Sequence, residues 1–117
     1  RVVGVVVRNL NTAIDTTFYP TPEARLSNLR HRPIGIGVQG LADAFIALRM
    51  PYESEAARRL NRMIFETMYY AAIEASVGLA TALGPYESFG GSHLSRGVFQ
   101  FEIAGAKPSE LWDWDAL

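Results

Sequence analysis

Apolar positions recur at three- and four-residue intervals over two long stretches of this chain and alternate over two short ones. Ala57, Leu60, Ile64, Met68, Ala71, Ala75, Leu79 and Ala82 set the clearest helical period. Ser54 stands ahead of them as an N-cap with Glu55 in the first turn, and Gly84-Pro85 forms the stop. The pattern predicts one long helix over about residues 54–83, roughly 45 Å of rod at 1.5 Å per residue. That is longer than a compact domain of this size needs. Ala71, Ala72 and Ala75 keep one stretch narrow, so a neighbouring element can approach closely there. Glu55–Arg59 and Arg62–Glu66 are i,i+4 pairs of opposite sign that add a few tenths of a kcal/mol each.

A second helical period, Val3, Val6, Val7, Leu10 and Ile14, predicts a helix over 2–15, weak in propensity because of Gly4 and the valines. Thr16, Thr17, Tyr19-Pro20 and Pro22 end it, and Pro22-Glu23-Ala24 can open a short helical turn. Residues 25–33 read as a basic connector. Gly40 then permits a turn into a helix over 41–49, whose apolar face is Leu41, Ala44, Phe45 and Leu48 and which Pro51 closes. The alternating stretches are Ile34, Ile36, Val38 and Phe99, Phe101, Ile103, which predict short strands over 34–39 and 97–103. Gly35 and Gly37 leave one face of the first strand bare, as if another backbone must come close. Gly105 to Pro108 break the second strand, and helix resumes at Ser109-Glu110-Leu111-Trp112. Two short strands separated by helices fit a crossover unit of a parallel sheet. Two strands alone leave edge groups unpaired, so the parts read as a slice of a larger α/β assembly.

Composition narrows the partners more than the fold. With 117 residues, 49% hydrophobic, 20% charged and a net charge of −1, the chain has the make-up of one soluble domain. That charge balance gives no reason to expect nucleic acid or a membrane surface as partner. No apolar run is long enough to span a bilayer, and the first residues do not form a signal peptide. Cysteine is absent, which excludes disulfides, thiolate metal sites and thiol chemistry within these residues. The chain starts without methionine inside a periodic segment and ends just after a helix begins at Trp112-Asp113-Trp114, so both ends read as cut.

Candidate chemistry is sparse. His31 and His93 are the only histidines, and neither has a partner at metal-ligand spacing. Arg25, Arg30, His31 and Arg32 can grip a phosphate or carboxylate, but pairing with acids of a neighbouring element is the simpler reading. Gly35, Gly37 and Gly40 spell G-x-G-x-x-G, yet the first two lie before the turn rather than in it. Asp43 stands too near to serve as a ribose acid, so close backbone packing is the better account. Ser54, Ser76, Ser88, Ser92 and Ser95 lie in no nucleophile motif. Adjacent Tyr69 and Tyr70 point about 100° apart on a helix, which directs one to the core and the other to a surface or interface. No catalytic, cofactor-binding or metal residue is assigned.

Several of these segments together resemble the catalytic large subunit of ribonucleotide reductase. They are Val5-Val6-Val7-Arg8-Asn9-Leu10-Asn11 with Ile14-Asp15, Tyr19-Pro20, Pro22-Glu23-Ala24, Leu26-Ser27-Asn28, and the continuous run from Arg30-His31-Arg32-Pro33 through Ile34–Phe45. The same order continues through Ile64-Phe65-Glu66-Thr67, Tyr69-Tyr70-Ala71, Glu74-Ala75-Ser76, Gly84-Pro85-Tyr86-Glu87 and Leu111-Trp112-Asp113-Trp114. The resemblance covers nearly the whole chain and has the flavour of class I enzymes. Val77 departs from it, standing where relatives can carry cysteine, and Gly78 follows.

The resemblance implies a ten-stranded α/β barrel that reduces ribonucleoside diphosphates by thiyl-radical chemistry. It also implies nucleotide effectors and a separate metal-containing radical subunit. The family's principal catalytic residues fall outside Arg1–Leu117. The expectation is therefore one segment, 1–117, of the barrel domain: α/β by parentage, mainly α here, with one long helix and one or two short strands. It is cytoplasmic, inactive alone and bound to the rest of the large subunit. A non-catalytic helical interaction module and a slice of a cobalamin-dependent class II reductase are the alternatives.

Overall fold

The structure, a computed structural model describing residues 1–117, consists of helices and irregular segments with no strand. Five α-helices run in the order α1 (Val2–Thr16), α2 (Pro22–His31), α3 (Leu41–Ala47), α4 (Glu55–Leu83) and α5 (Gln100–Ile103). Short 3-10 turns lie at Glu87–Phe89, Leu94–Arg96 and Trp114–Ala116.

The long helix forms where its period and caps place it. Ser54 Oγ accepts from the Ala57 amide at 3.2 Å, and Gly84, at φ +85°, ends the helix. The valine-rich α1 lies along α4, and this pair is the main tertiary contact of the chain. Gly4 faces Ala75 across this contact, and a Cβ there would stand in ordinary van der Waals contact, 3.9 Å from Ala75 Cβ. Packing, not propensity, thus stabilises the helix that its valines weaken. The exposed ion pair at the start of α4 is Glu55–Arg58 at 3.1 Å, not Glu55–Arg59, whereas Arg62 and Glu66 do face each other at 3.9 Å.

The α/β reading fails at both predicted strands. Pro33 to Gln39 carry the alternating pattern but make no backbone hydrogen bond to any other segment. A ladder needs a partner strand, and none of the other segments supplies one. Gly35 and Gly37 have nothing within 4 Å of where a Cβ would stand, so the expected close approach is not made within this chain. At 97–103 the local backbone chemistry overrides the alternation. Gly97 turns left-handed at φ +71°, and the Glu102 carboxylate accepts from the Phe99 amide at 2.6 Å, closing the first turn of α5. Phe99 and Phe101 then stack with ring centroids 5.4 Å apart.

Three further boundaries move. The basic connector expected over 25–33 is mostly helix, because Pro22 opens α2, Thr21 Oγ1 accepts from the Ala24 amide and Arg32 closes it in the left-handed region. The helix expected over 41–49 stops at Ala47, with Arg49 left-handed at φ +54° and the Met50 amide bonded back to the Phe45 carbonyl. The helix expected from Ser109 is only the terminal 3-10 turn.

Only Val7, Ile14, Phe45 and Ala57 are buried. The accessible surface is 8652 Å², against about 6,300 Å² for a folded monomer of this mass. The radius of gyration is 16.7 Å, against roughly 13 Å for a compact domain of this length. The helices make an open frame around an incomplete core.

Candidate functional site

The basic cluster is where distant parts of the chain meet. Arg32 sits at φ 45° and ψ 51° as the C-cap of α2, which turns its side chain back onto α1. Its Nε donates to Asn11 Oδ1 at 2.9 Å, and its terminal nitrogens donate to the Asn11 carbonyl at 2.9 Å and to both Asp15 oxygens at 2.9 and 2.8 Å. The hydrogen bonds from Arg32 hold the Asp15 carboxyl below the usual carboxylate range, with burial opposing and the guanidinium charge assisting. The cation also lies against the C-terminal end of α1, where the helix dipole favours it.

Just before it in the chain, Arg30 pairs with Glu87 at 3.1 Å, and His31 Nδ1 lies 2.7 Å from Ser88 Oγ. Ser88 Oγ in turn donates to the Arg30 carbonyl at 3.3 Å, which leaves His31 Nδ1–H as the donor to Ser88. Arg30 and Arg32 are therefore ion-paired with acids of neighbouring elements, as the simpler sequence reading expects. The serine and histidine form a tie between α2 and the 3-10 turn at 87–89. His31 has no carboxylate among its hydrogen-bond partners to orient it as a catalytic base.

Beneath this cluster, α1, α2, the 34–36 segment, α4 and the 85–89 loop enclose an open groove of about 1060 Å³. Seventeen of its 24 lining residues are hydrophobic, with Met68, Ala72 and Ile73 of α4 among them. Its only charged side chains are Arg32 and Glu87, both already paired. The groove is mostly apolar, with Asn11, Ser76 and Thr81 as uncharged polar groups in its wall, and its one cation is already paired.

The C-terminal segment builds an aromatic seam on α4 that shares Tyr69 and Phe99 with the groove wall. Tyr70 stacks on Trp112 at 4.8 Å, and Trp114 meets Tyr69, Tyr70, Phe99 and Phe101 at 4.9–5.5 Å. Polar contacts fix the register: Trp112 Nε1 donates to Thr67 Oγ1, and Glu66 Oε1 accepts from the amide and hydroxyl of Ser109 at 2.8 and 2.9 Å. Tyr69 and Tyr70 are both half-buried here, so the expected split between core and surface is corrected. The Trp114 Nε1 atom is buried without a partner.

The G-x-G-x-x-G glycines build no phosphate cradle. Gly40, at φ +82°, only starts the seven-residue α3. His93 is exposed in the loop before the second 3-10 turn, 62 residues along the chain from His31. No three His, Asp or Glu side chains gather where they could hold a metal. Sequence reasoning missed Ser88, Glu87 and Ser109 as partners of α2 and α4, because their spacing from those helices carries no periodic signal.

Comparison with known proteins places this frame. The family model described as "Ribonucleotide reductase, barrel domain" matches residues 1–117. The chain belongs to that family. It is 58% identical over 116 residues to the ribonucleoside-diphosphate reductase large chain of Schizosaccharomyces pombe. It is 57% identical over 117 residues to the large subunit of Plasmodium falciparum, and 57% over 116 residues to that of vaccinia virus. Each match covers 99% of this chain but only 14–15% of the relative. Ribonucleotide reductase relatives so named are oxidoreductases, and this chain corresponds to about one seventh of their length.

Proposed function

We propose that these residues are a scaffold segment of a ribonucleoside-diphosphate reductase large subunit, which makes deoxyribonucleotides for DNA synthesis. The family match across residues 1–117 carries this reading. The local chemistry supports a framing role: the arginines nearest the groove are committed to Asp15 and Glu87, and the polar groups tie helices together. Thiyl-radical chemistry needs cysteine, and this chain has none. The radical and redox thiols therefore belong to other parts of the subunit. The side chains offer no donor set that fits a metal, so on this reading the metal stays in a separate small radical subunit. Ribonucleoside diphosphates and nucleotide effectors bind elsewhere on the large subunit. No helix is long and apolar enough to cross a membrane, and a cytoplasmic setting fits the reaction's nucleotides.

The test is turnover. The full-length large subunit containing these residues, with a small radical subunit and a dithiol reductant, reduces a ribonucleoside diphosphate, while residues 1–117 alone give none. A full-length subunit without reductase activity, or turnover by the 117 residues alone, overturns the proposal.

A further inference from the structure

Within this chain, residues 33–39 can take their position only from their ends. Their backbone makes no hydrogen bond, and only Ile36 among them is half-buried. At the far end stands Gly40, at φ +82° and without a side-chain cap, opening the short α3. A glycine there is a pivot rather than an anchor. The near end is built differently. Arg32 is left-handed at φ 45° and ψ 51°, a conformation that costs a residue with a side chain and that glycine adopts freely. It also precedes Pro33, and the residue before a proline favours extended backbone instead. Two local preferences are overridden at the one residue that aims 33–39.

The side chain of Arg32 is what overrides them. Its Nε and both terminal nitrogens reach Asn11 Oδ1, the Asn11 carbonyl and both Asp15 oxygens at 2.8–2.9 Å. Asn11 and Asp15 lie one turn apart on α1, so the planar fork is fixed at two points on a helix that itself packs along α4. Arg30–Glu87 and His31–Ser88 tie the two preceding residues to the 3-10 turn, and leave the backbone at residue 32 to this clamp.

We propose that Arg32, braced by Asn11 and Asp15, is the positioning residue of the 33–39 segment, holding the left-handed turn that sets its direction for the large subunit's reaction. The inference rests on the reductase reading above. The N–H and C=O groups of an extended segment point in fixed directions, so a rotation at residue 32 displaces all of them together. A misplacement of about 1 Å away from the chemistry can cost on the order of a hundredfold in rate. Because its donors are spent on α1, Arg32 acts through 33–39 and not on a substrate.

Arg32→Gly separates this role from a merely stabilising one, since glycine removes the clamp and the backbone strain together. In the full-length large subunit, with a small radical subunit and a dithiol reductant, its kcat should fall at least about tenfold. Its KM for a ribonucleoside diphosphate should stay within about twofold. In the full-length subunit alone, hydrogen exchange should quicken about tenfold at the Ile34–Val38 amides and stay unchanged in the middle of α4. Arg32→Lys, which keeps the charge without the planar fork, should keep the fold but also lose rate. Asp15→Asn should lower kcat too, and the double variant with Arg32→Gly should be no slower than Arg32→Gly alone. An unchanged kcat in Arg32→Gly or Arg32→Lys overturns the proposal, as does a raised KM with kcat intact. So do losses from residues 15 and 32 that multiply, or exchange that quickens equally in α4. A wild-type subunit without turnover refutes the reductase reading alone, and exchange at 34–38 then decides the clamp by itself: quickening supports it and none refutes it.

Discussion

Arg32 concentrates more of this structure's logic than any other residue. A left-handed backbone costs a residue with a side chain about 1 kcal/mol, and glycine would avoid that cost. The guanidinium offsets it by reaching Asn11 and Asp15 across a sequence gap of 17 to 21 residues. Asp15 is half-exposed, so its pairing is weakened by solvent and counter-ions. The sign of its pH dependence is nevertheless fixed. A carboxyl with a lowered folded pKa contributes stability above the unfolded carboxylate value, and loses it as pH falls through the lowered folded value. Carbon-13 titration of Asp15 should show a midpoint below that of free aspartate, and Arg32→Met should bring it back up. A midpoint that Arg32→Met leaves in place would show that another group sets it. The basic residue types made ion pairing legible from sequence, but not the partners, because no local spacing links residue 32 to residue 15.

Among the elements, α4 was legible because three independent signals agree: its apolar period, the Ser54 cap and the Gly84 stop. The alternating segments were not, because alternation records only which side chains share a face. Whether a strand forms depends on a partner backbone, and for 34–38 this chain has none. At 97–103 the deciding signals were the left-handed Gly97 and the Glu102 carboxylate turned onto the Phe99 amide. Both residues stood in the sequence, but their short-range chemistry was outweighed in the reading by Phe99, Phe101 and Ile103. The closing segment is registered on α4 through Glu66, whose side chain is only 9% exposed. Glu66→Gln keeps the shape but weakens two hydrogen bonds that a charged acceptor makes to Ser109. This should cost about 1 kcal/mol locally. In hydrogen exchange of the full-length subunit, the Ser109 amide should then exchange several-fold faster while those of α1 are unchanged. Equal acceleration in α1 would mean that the substitution acts globally.

At the scale of the whole molecule, the incompleteness expected from two edge-exposed strands is real, but its cause is different. It comes from helices with unfinished apolar faces. Four buried side chains cannot balance the conformational entropy of ordering 117 residues, which amounts to at least about 1 kcal/mol per residue. A fully buried aliphatic or aromatic side chain contributes only about 1.5–3 kcal/mol. The half-buried positions of α4 and the aromatic seam add to this, yet Val2, Phe18, Ile46, Tyr52 and Leu83 all remain more than 70% exposed. Residues 1–117 expressed alone should therefore keep helical far-ultraviolet dichroism from α4. They should melt broadly, bind a hydrophobic dye such as ANS, and give a calorimetric enthalpy far below about 0.7 kcal/mol per residue. A sharp two-state melt with full enthalpy and no dye binding would refute this. It would mean that the frame orders itself, with its apolar faces needing no other part of the reductase to cover them.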